Sequence, residues 1–171
     1  KSYYYINTQG VNGKRMATMN QPSGSASLSI TTFDDYLYYE FDKINIVKLG
    51  RRWFGEQFDF NNIQDFDFTI PNIVPSSTIA LNIYAAASSF TATNFEVKAN
   101  NEKVGTISFS PISEYVLANG SNFKATIPAS EKVNVILTYN NNGVPDSKGY
   151  LDYIFLKSLR ELKGYSKQFR F

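Results

Sequence analysis

The 171-residue chain has neither cysteine nor histidine. Without cysteine it has no disulfide framework, no thiolate zinc site and no thiol nucleophile. Without histidine it also lacks the imidazole that normally generates a catalytic thiolate and protonates the leaving amine. Cysteine-protease chemistry is therefore excluded within these residues. Charge of one dominant sign is missing as well: 17 Lys and Arg against 15 Asp and Glu leave +2, no footprint for a nucleic-acid partner. No apolar run approaches the ~20 residues of a membrane helix, so direct membrane insertion is not expected. No motif asks for a cofactor. The chain opens at Lys1 without a signal peptide, which reads as a piece of a longer polypeptide, and its length suits one domain with a two-layer core.

What the chain has is strand texture. Asp65, Asp67 and Thr69 alternate with Phe66, Phe68 and Ile70 until Pro71, which lacks the N–H that a ladder needs. Thr78 to Ala87 puts Ile79, Leu81 and Ile83 on one face. Phe95 and Val97 precede Asn100-Asn101, a pair that tolerates the left-handed turn of a tight hairpin, with Lys103 to Phe109 as the returning strand. Phe123 to Ile127 and Lys132 to Tyr139 add two more, and Asn140 to Pro145 is a loop. Towards the N-terminus, Tyr3 to Ile6, Lys14 to Met19 and the Ala26, Leu28, Ile30 alternation also read as strands. The last element, from Tyr150, fits a helical stripe through Leu151, Ile154, Ser158 and Leu162, but its aromatic and β-branched residues favour a strand to about Leu156. About ten short strands predict an all-β chain: an antiparallel β-sandwich of jelly-roll type over residues 1–156. Residues 157–171, basic and broken by Gly164, are expected to form a connector or edge strand leading to a following domain. Tyr165, Phe169 and Phe171 are its candidate interdomain contacts.

The densest stretch is Asp34 to Phe60. Tyr36, Tyr38 and Glu40 alternate with Leu37, Tyr39 and Phe41 at strand spacing, and Glu56, Phe58 and Phe60 repeat that spacing. Between them Gly50 and Gly55 bracket Arg51, Arg52, Trp53 and Phe54. Two turns with positive φ at Gly50 and freedom at Gly55 would hold this group on a loop tip. Arg51, Arg52, Trp53, Phe54 and Glu56 are therefore the candidate interaction cluster, with the arginines either stacked on Trp53 or presenting it to a partner.

The string from Gly50 to Phe58, preceded by Tyr39-Glu40-Phe41-Asp42, resembles the β-rich region ahead of the protease domain in one family. These are the gingipain-like cysteine proteases of the PorU type, which act as sortases of the type IX secretion system. Lys148 to Ile154, followed by Arg160-Glu161-Leu162 and Gln168 to Phe171, is similar to the passage by which that region leads toward the protease. The resemblance implies a non-catalytic domain that scaffolds, docks or controls access to a protease domain further along the same chain. It also implies an exported protein at the cell surface or outer membrane, with secreted protein substrates or other secretion-system components as partners.

Aromatics make up 16% of the chain. Exposed Trp and Tyr rings stack on sugars, so a carbohydrate-binding module of a secreted or surface protein is the alternative. Most phenylalanines occupy alternating positions that suit a core, and no open groove lined by Trp53 or a row of tyrosines is expected. Asp65 and Asp67, with Asp34 and Asp35 at a loop, are weak candidates for calcium. As a glycosidase pair they lack any supporting cleft residue, and the ordinary reading is a solvated strand face. Asn119-Gly120-Ser121 matches a glycosylation acceptor but reads as a turn.

Overall fold

The computed structural model describes residues 10, 13, 16–20, 23–48 and 50–165. Among these residues nine strands run in order: β1 (Thr32–Glu40), β2 (Glu56–Phe58), β3 (Ile63–Thr69), β4 (Thr78–Ser88), β5 (Thr93–Ala99), β6 (Glu102–Phe109), β7 (Asn119–Pro128), β8 (Lys132–Asn140) and β9 (Lys148–Glu161). No helix occurs among the described residues. The first sheet has the order β1-β9-β4-β7, with β2 also paired to β9; the second has the order β3-β8-β5-β6. Every pairing is antiparallel. The sandwich of jelly-roll type predicted from alternation is the observed fold.

Period-two patterning builds the core directly. Ile79, Leu81 and Ile83 of β4 face Val133, Val135 and Leu137 of β8 across the layers, together with Phe95 and Val97 of β5. All eight are at most 1% exposed, and each such side chain contributes roughly 1.5–3 kcal/mol relative to exposure. The β5–β6 connection is the predicted tight hairpin, with Asn100 and Asn101 left-handed at φ 50° and 69°.

The N-terminal expectations fare differently. Ala26 to Ile30 forms no strand, and Leu28 and Ile30 are exposed, because no neighbouring strand offers a ladder to that alternation. Residues 16–20 are likewise not strand, and Tyr3 to Ile6 lies outside the described residues. Phe60, read as part of a strand, is fully exposed beyond the end of β2. Asn119-Gly120-Ser121 is no turn: it opens β7 opposite Ala85 to Ala87.

The last strand does not stop at Leu156. It continues to Glu161 because its inner face stays buried through Ser158 and Arg160. The Arg160 guanidinium, 1% exposed, donates from Nη1 to Asp35 Oδ2 at 2.5 Å and from Nε to the Pro71 carbonyl at 2.5 Å. Phe33 and Tyr165 lie against it, at 5.3 Å and 4.5 Å from ring centroid to guanidinium. A basic residue in a tail-like sequence is thus an interior group. Tyr165 rests on the sandwich, while Phe169 and Phe171 fall outside the described residues.

Gly149, at the start of β9, lies where rings from the second sheet fill the interior. A Cβ there would sit 2.6 Å from Phe95 Cζ and 2.7 Å from Tyr139 Cδ2. Gly149→Ala is expected to lower unfolding free energy by roughly 1–3 kcal/mol through overpacking, even though alanine is the better strand former. Urea denaturation checks this, and unchanged stability would mean the rings have room to move aside.

Candidate functional site

β1 and β2 lie end to end along one edge of β9, with Glu40 opposite Tyr153 and Glu56 opposite Leu151. Only Asp152 separates those two registers. On the other edge of β9 the pairing with β4 shifts at the same place, between Tyr84 and Ala85. Asp152 is therefore the extra residue of a β-bulge, which leaves the consecutive side chains of Asp152 and Tyr153 both on the outer face, between the core residues Leu151 and Ile154. Residues 41–55 leave the sheet at this break and return to it.

The loop they form is closed at its neck. Lys43 and Ile44 N–H donate to the Phe54 carbonyl at 2.9 and 2.8 Å, Phe54 N–H donates to Ile44 at 2.8 Å, and Gly55 N–H donates to Leu151 at 2.9 Å. Gly55 is required by this closure, since a Cβ would stand 2.5 Å from the Phe41 carbonyl oxygen. The Tyr39 hydroxyl donates to Glu56 Oε1 at 2.6 Å, joining the two feet from beneath. Such compact loops with adjacent ends hold themselves together with their own side chains. Here Phe54, 5% exposed, fills the inside with Tyr150 and Ala86, flanked by Ile44, Ile46, Tyr84 and Ala118.

The structure divides the predicted cluster by role. Phe54 anchors the loop, and Glu56 turns to its neck. Arg52 clamps it: Nη1 donates to Asp152 Oδ2 at 2.5 Å, and the guanidinium lies 3.9 Å from the Tyr84 ring centroid. Arg52 is thus stacked on Tyr84, not on Trp53. Arg51 is exposed, and Trp53 is 44% exposed. The left-handed turn residue is Lys48, at φ 60°, whereas Gly50 is not left-handed.

Four residues that the residue pattern alone did not mark complete the site. Tyr38 of β1 stacks on Tyr153 of β9 at 5.4 Å, and Tyr153 on Tyr84 of β4 at 6.1 Å, forming a ring row across three strands. Asp152 lies below. The Arg51-Arg52 segment separates two clefts. One, of about 440 Å³, is mostly apolar and lined by Ile46, Val47, Tyr115 and Leu117 among others. The other, of about 330 Å³, is polar and open to solvent, and Tyr38, Glu40, Asp42, Trp53, Asp152 and Tyr153 line it with the two arginines. The expectation that Trp53 and tyrosines line no groove is therefore overturned, because the bulge and the closed neck bring Trp53, Tyr38 and Tyr153 to one cleft.

Burial pushes the Asp152 carboxyl above its ordinary value, and Arg52 offsets that only in part while Asp42 adds to it. Tyr38 is raised by burial and by the neighbouring Glu40 carboxylate. Burial and the Glu56 hydrogen bond push Tyr39 up to about 12.

The aspartates considered for calcium do not converge. Asp65 and Asp67 share the Asn134 amide, at 3.4 and 2.8 Å, on the outer face of β3. Asp34 and Asp35 lie within β1 and not in a loop; Asp34 pairs with Lys157 at 2.8 Å and Asp35 with Arg160.

Among solved structures, the chain is similar to dimeric latent PorU from Porphyromonas gingivalis, with a TM-score of 0.68 and 18% identity, over 82% of this chain and 14% of that one. The fold is thus shared with a PorU β domain, and this chain spans 14% of the PorU chain's length. It is also similar to the CBM36-1 domain of a multidomain xylanase from the hindgut metagenome of Trinervitermes trinervoides, with a TM-score of 0.47 and 10% identity, over 78% and 98% of the two chains. No family model and no curated protein matches the sequence.

Removing Arg52 leaves the Asp152 carboxylate buried without its cation, so Arg52→Ala is expected to cost about 1–3 kcal/mol at neutral pH. Adding Asp152→Asn should recover part of that loss. Because Asp152 titrates upward, the penalty should shrink as acid protonates it; denaturation of the three variants at neutral and acidic pH measures this, and a pH-independent penalty contradicts it. Tyr39 carries the opposite limb. Its stabilisation is complete below the ordinary tyrosine value of 10.0 and is lost as pH rises from there to about 12. Alkaline melts of Tyr39→Phe should therefore fall less steeply than those of the wild type across that window.

Proposed function

We propose that this chain is a non-catalytic β-sandwich domain of a PorU-type, gingipain-like surface protein, serving as scaffold, docking surface or access control for a protease domain further along the same polypeptide. One observation carries the reading. The two strings that resemble that family, Gly50 to Phe58 and Lys148 to Ile154, are far apart in sequence yet adjacent in space. Glu56, Gln57 and Phe58 pair with Leu151, Tyr150 and Gly149, and Arg52 clasps Asp152. A resemblance confined to chance strings has no reason to assemble one structural unit. The fold likeness to PorU supports the same reading, as does the lack of any Cys or His in this chain.

In this role the protease domain and secreted protein substrates or other secretion-system components are the partners, and the location is the cell surface or outer membrane of an exported protein. Tyr165, Phe169 and Phe171 are candidates for the contact with the protease domain. The purified chain is expected to show no thiol-directed labelling and no peptide turnover. In the parent protein, deleting the domain should lower processing of secreted cargo while turnover of a small peptide continues. Turnover by the pure chain that disappears on mutating one of its residues overturns the proposal. So does a reading frame beyond Phe171 without a Cys and His pair.

A further inference from the structure

The polar cleft beside the 41–55 loop has a chemistry that scaffolding does not use. Trp53 is the protein's sole tryptophan and is 44% exposed, although its neighbour Phe54 is 5% exposed. The loop had an apolar interior available, and the smaller ring took it. Arg52, the cation next to Trp53, is committed to Tyr84 and Asp152. Among the described residues, the indole faces neither another ring nor a cation in this structure. The cleft it helps to line is shared with Glu40, Asp42, Tyr38, Tyr153 and Arg51.

This combination narrows the ligand. An aromatic face with hydrogen-bond acceptors on one side and donors on the other matches a molecule with an apolar face and an equatorial rim of hydroxyls, each both donor and acceptor. Three carboxylates against two guanidiniums oppose a phosphate chain or a polyuronide. An apolar peptide side chain would find the neighbouring, more apolar cleft a better host. The volume, about 330 Å³, lies at the lower end of small-ligand sites (~300–1,000 Å³), which suits a chain end or short segment and not a long polymer.

We propose that this cleft is a subsite for a neutral saccharide. A pyranose ring lies on Trp53, its hydroxyls donating to Glu40 and Asp42 and accepting from Arg51. The assignment is independent of which protein the domain belongs to.

The test uses the whole chain. An array of neutral gluco-, manno- and xylo-oligosaccharides, with oligouronides as the acidic arm, screens for binding. Any neutral hit is then titrated by isothermal calorimetry, which also reads the tryptophan-free variants, and in the wild type by tryptophan fluorescence, where the single indole reports on the cleft alone. Saturable binding to a neutral oligosaccharide is expected, with a change in Trp53 emission. Trp53→Ala should weaken it about tenfold or more with circular dichroism and melting unchanged, and Trp53→Phe should restore part of the affinity. Should Trp53→Ala fail to fold, the paired Glu40→Gln and Asp42→Asn changes, both on exposed side chains, are expected to give a comparable loss. Absence of any neutral ligand, binding confined to the oligouronides, or affinity untouched by these substitutions overturns the assignment.

Discussion

One extra residue in β9 determines how the outer face of the first sheet is arranged. With Leu151 and Ile154 both facing the core, the bulge leaves Asp152 and Tyr153 side by side on the outer face. Asp152 there lies beneath the loop and is only 5% exposed, where an unpaired carboxylate is costly. It therefore needs a cation close at hand. Arg52 supplies that cation from a loop whose two feet stand on either side of the same residue, and the pair draws the loop down onto Tyr84 and Tyr153. Phe54 inside, Trp53 outside and both clefts result from that single displacement. The geometry explains why a short segment can hold a defined shape without any disulfide: its neck is closed by backbone hydrogen bonds, its interior by one phenylalanine and its lid by an ion pair.

A second arginine does comparable work at the other end of β9. Arg160 is far more secluded than Arg52, and it is matched by one carboxylate, one carbonyl and two rings. Its Nη2 has no hydrogen-bond partner. A buried ion pair of this kind is weak ground for stability and better understood as fixing one arrangement, because alternatives leave the charge stranded. Here the arrangement is the register between β1 and β9, since a slip of one residue would place Asp35 on the opposite face from Arg160.

Period-two alternation made the sandwich legible, because β4, β5 and β8 bury every second side chain almost without exception. The tight Asn-Asn hairpin was legible for a similarly local reason. Where interpretation failed, the controlling fact was not local. Leu28 and Ile30 alternate as well as any strand but have no partner. Arg160 looks like a solvated tail residue until Asp35 is placed beside it. The helical stripe through Leu151 and Ile154 is the imprint of the bulge: one inserted residue puts two inward-facing apolar residues three apart and mimics a helix face. That broken phase was the sequence signal for Asp152 and Tyr153. Trp53 and the arginines were conspicuous as residue types, but their separate roles depended on Tyr84 and Asp152, which only pairing of β4 with β9 brings near.

The position of β9 has a consequence for how the molecule comes into being. It is the last strand among the described residues and lies in the interior of its sheet, hydrogen-bonded to β1 and β2 on one side and β4 on the other. The second sheet, by contrast, is complete once Asn140 exists. During synthesis one layer of the sandwich can therefore assemble early. The other must wait as a β4–β7 pair and two unpartnered segments with open backbone edges, the state in which β proteins are most exposed to mispairing. Completion is delayed until residues 148–161 arrive, and Arg160 near their end meets Asp35 only once that strand lies beside β1.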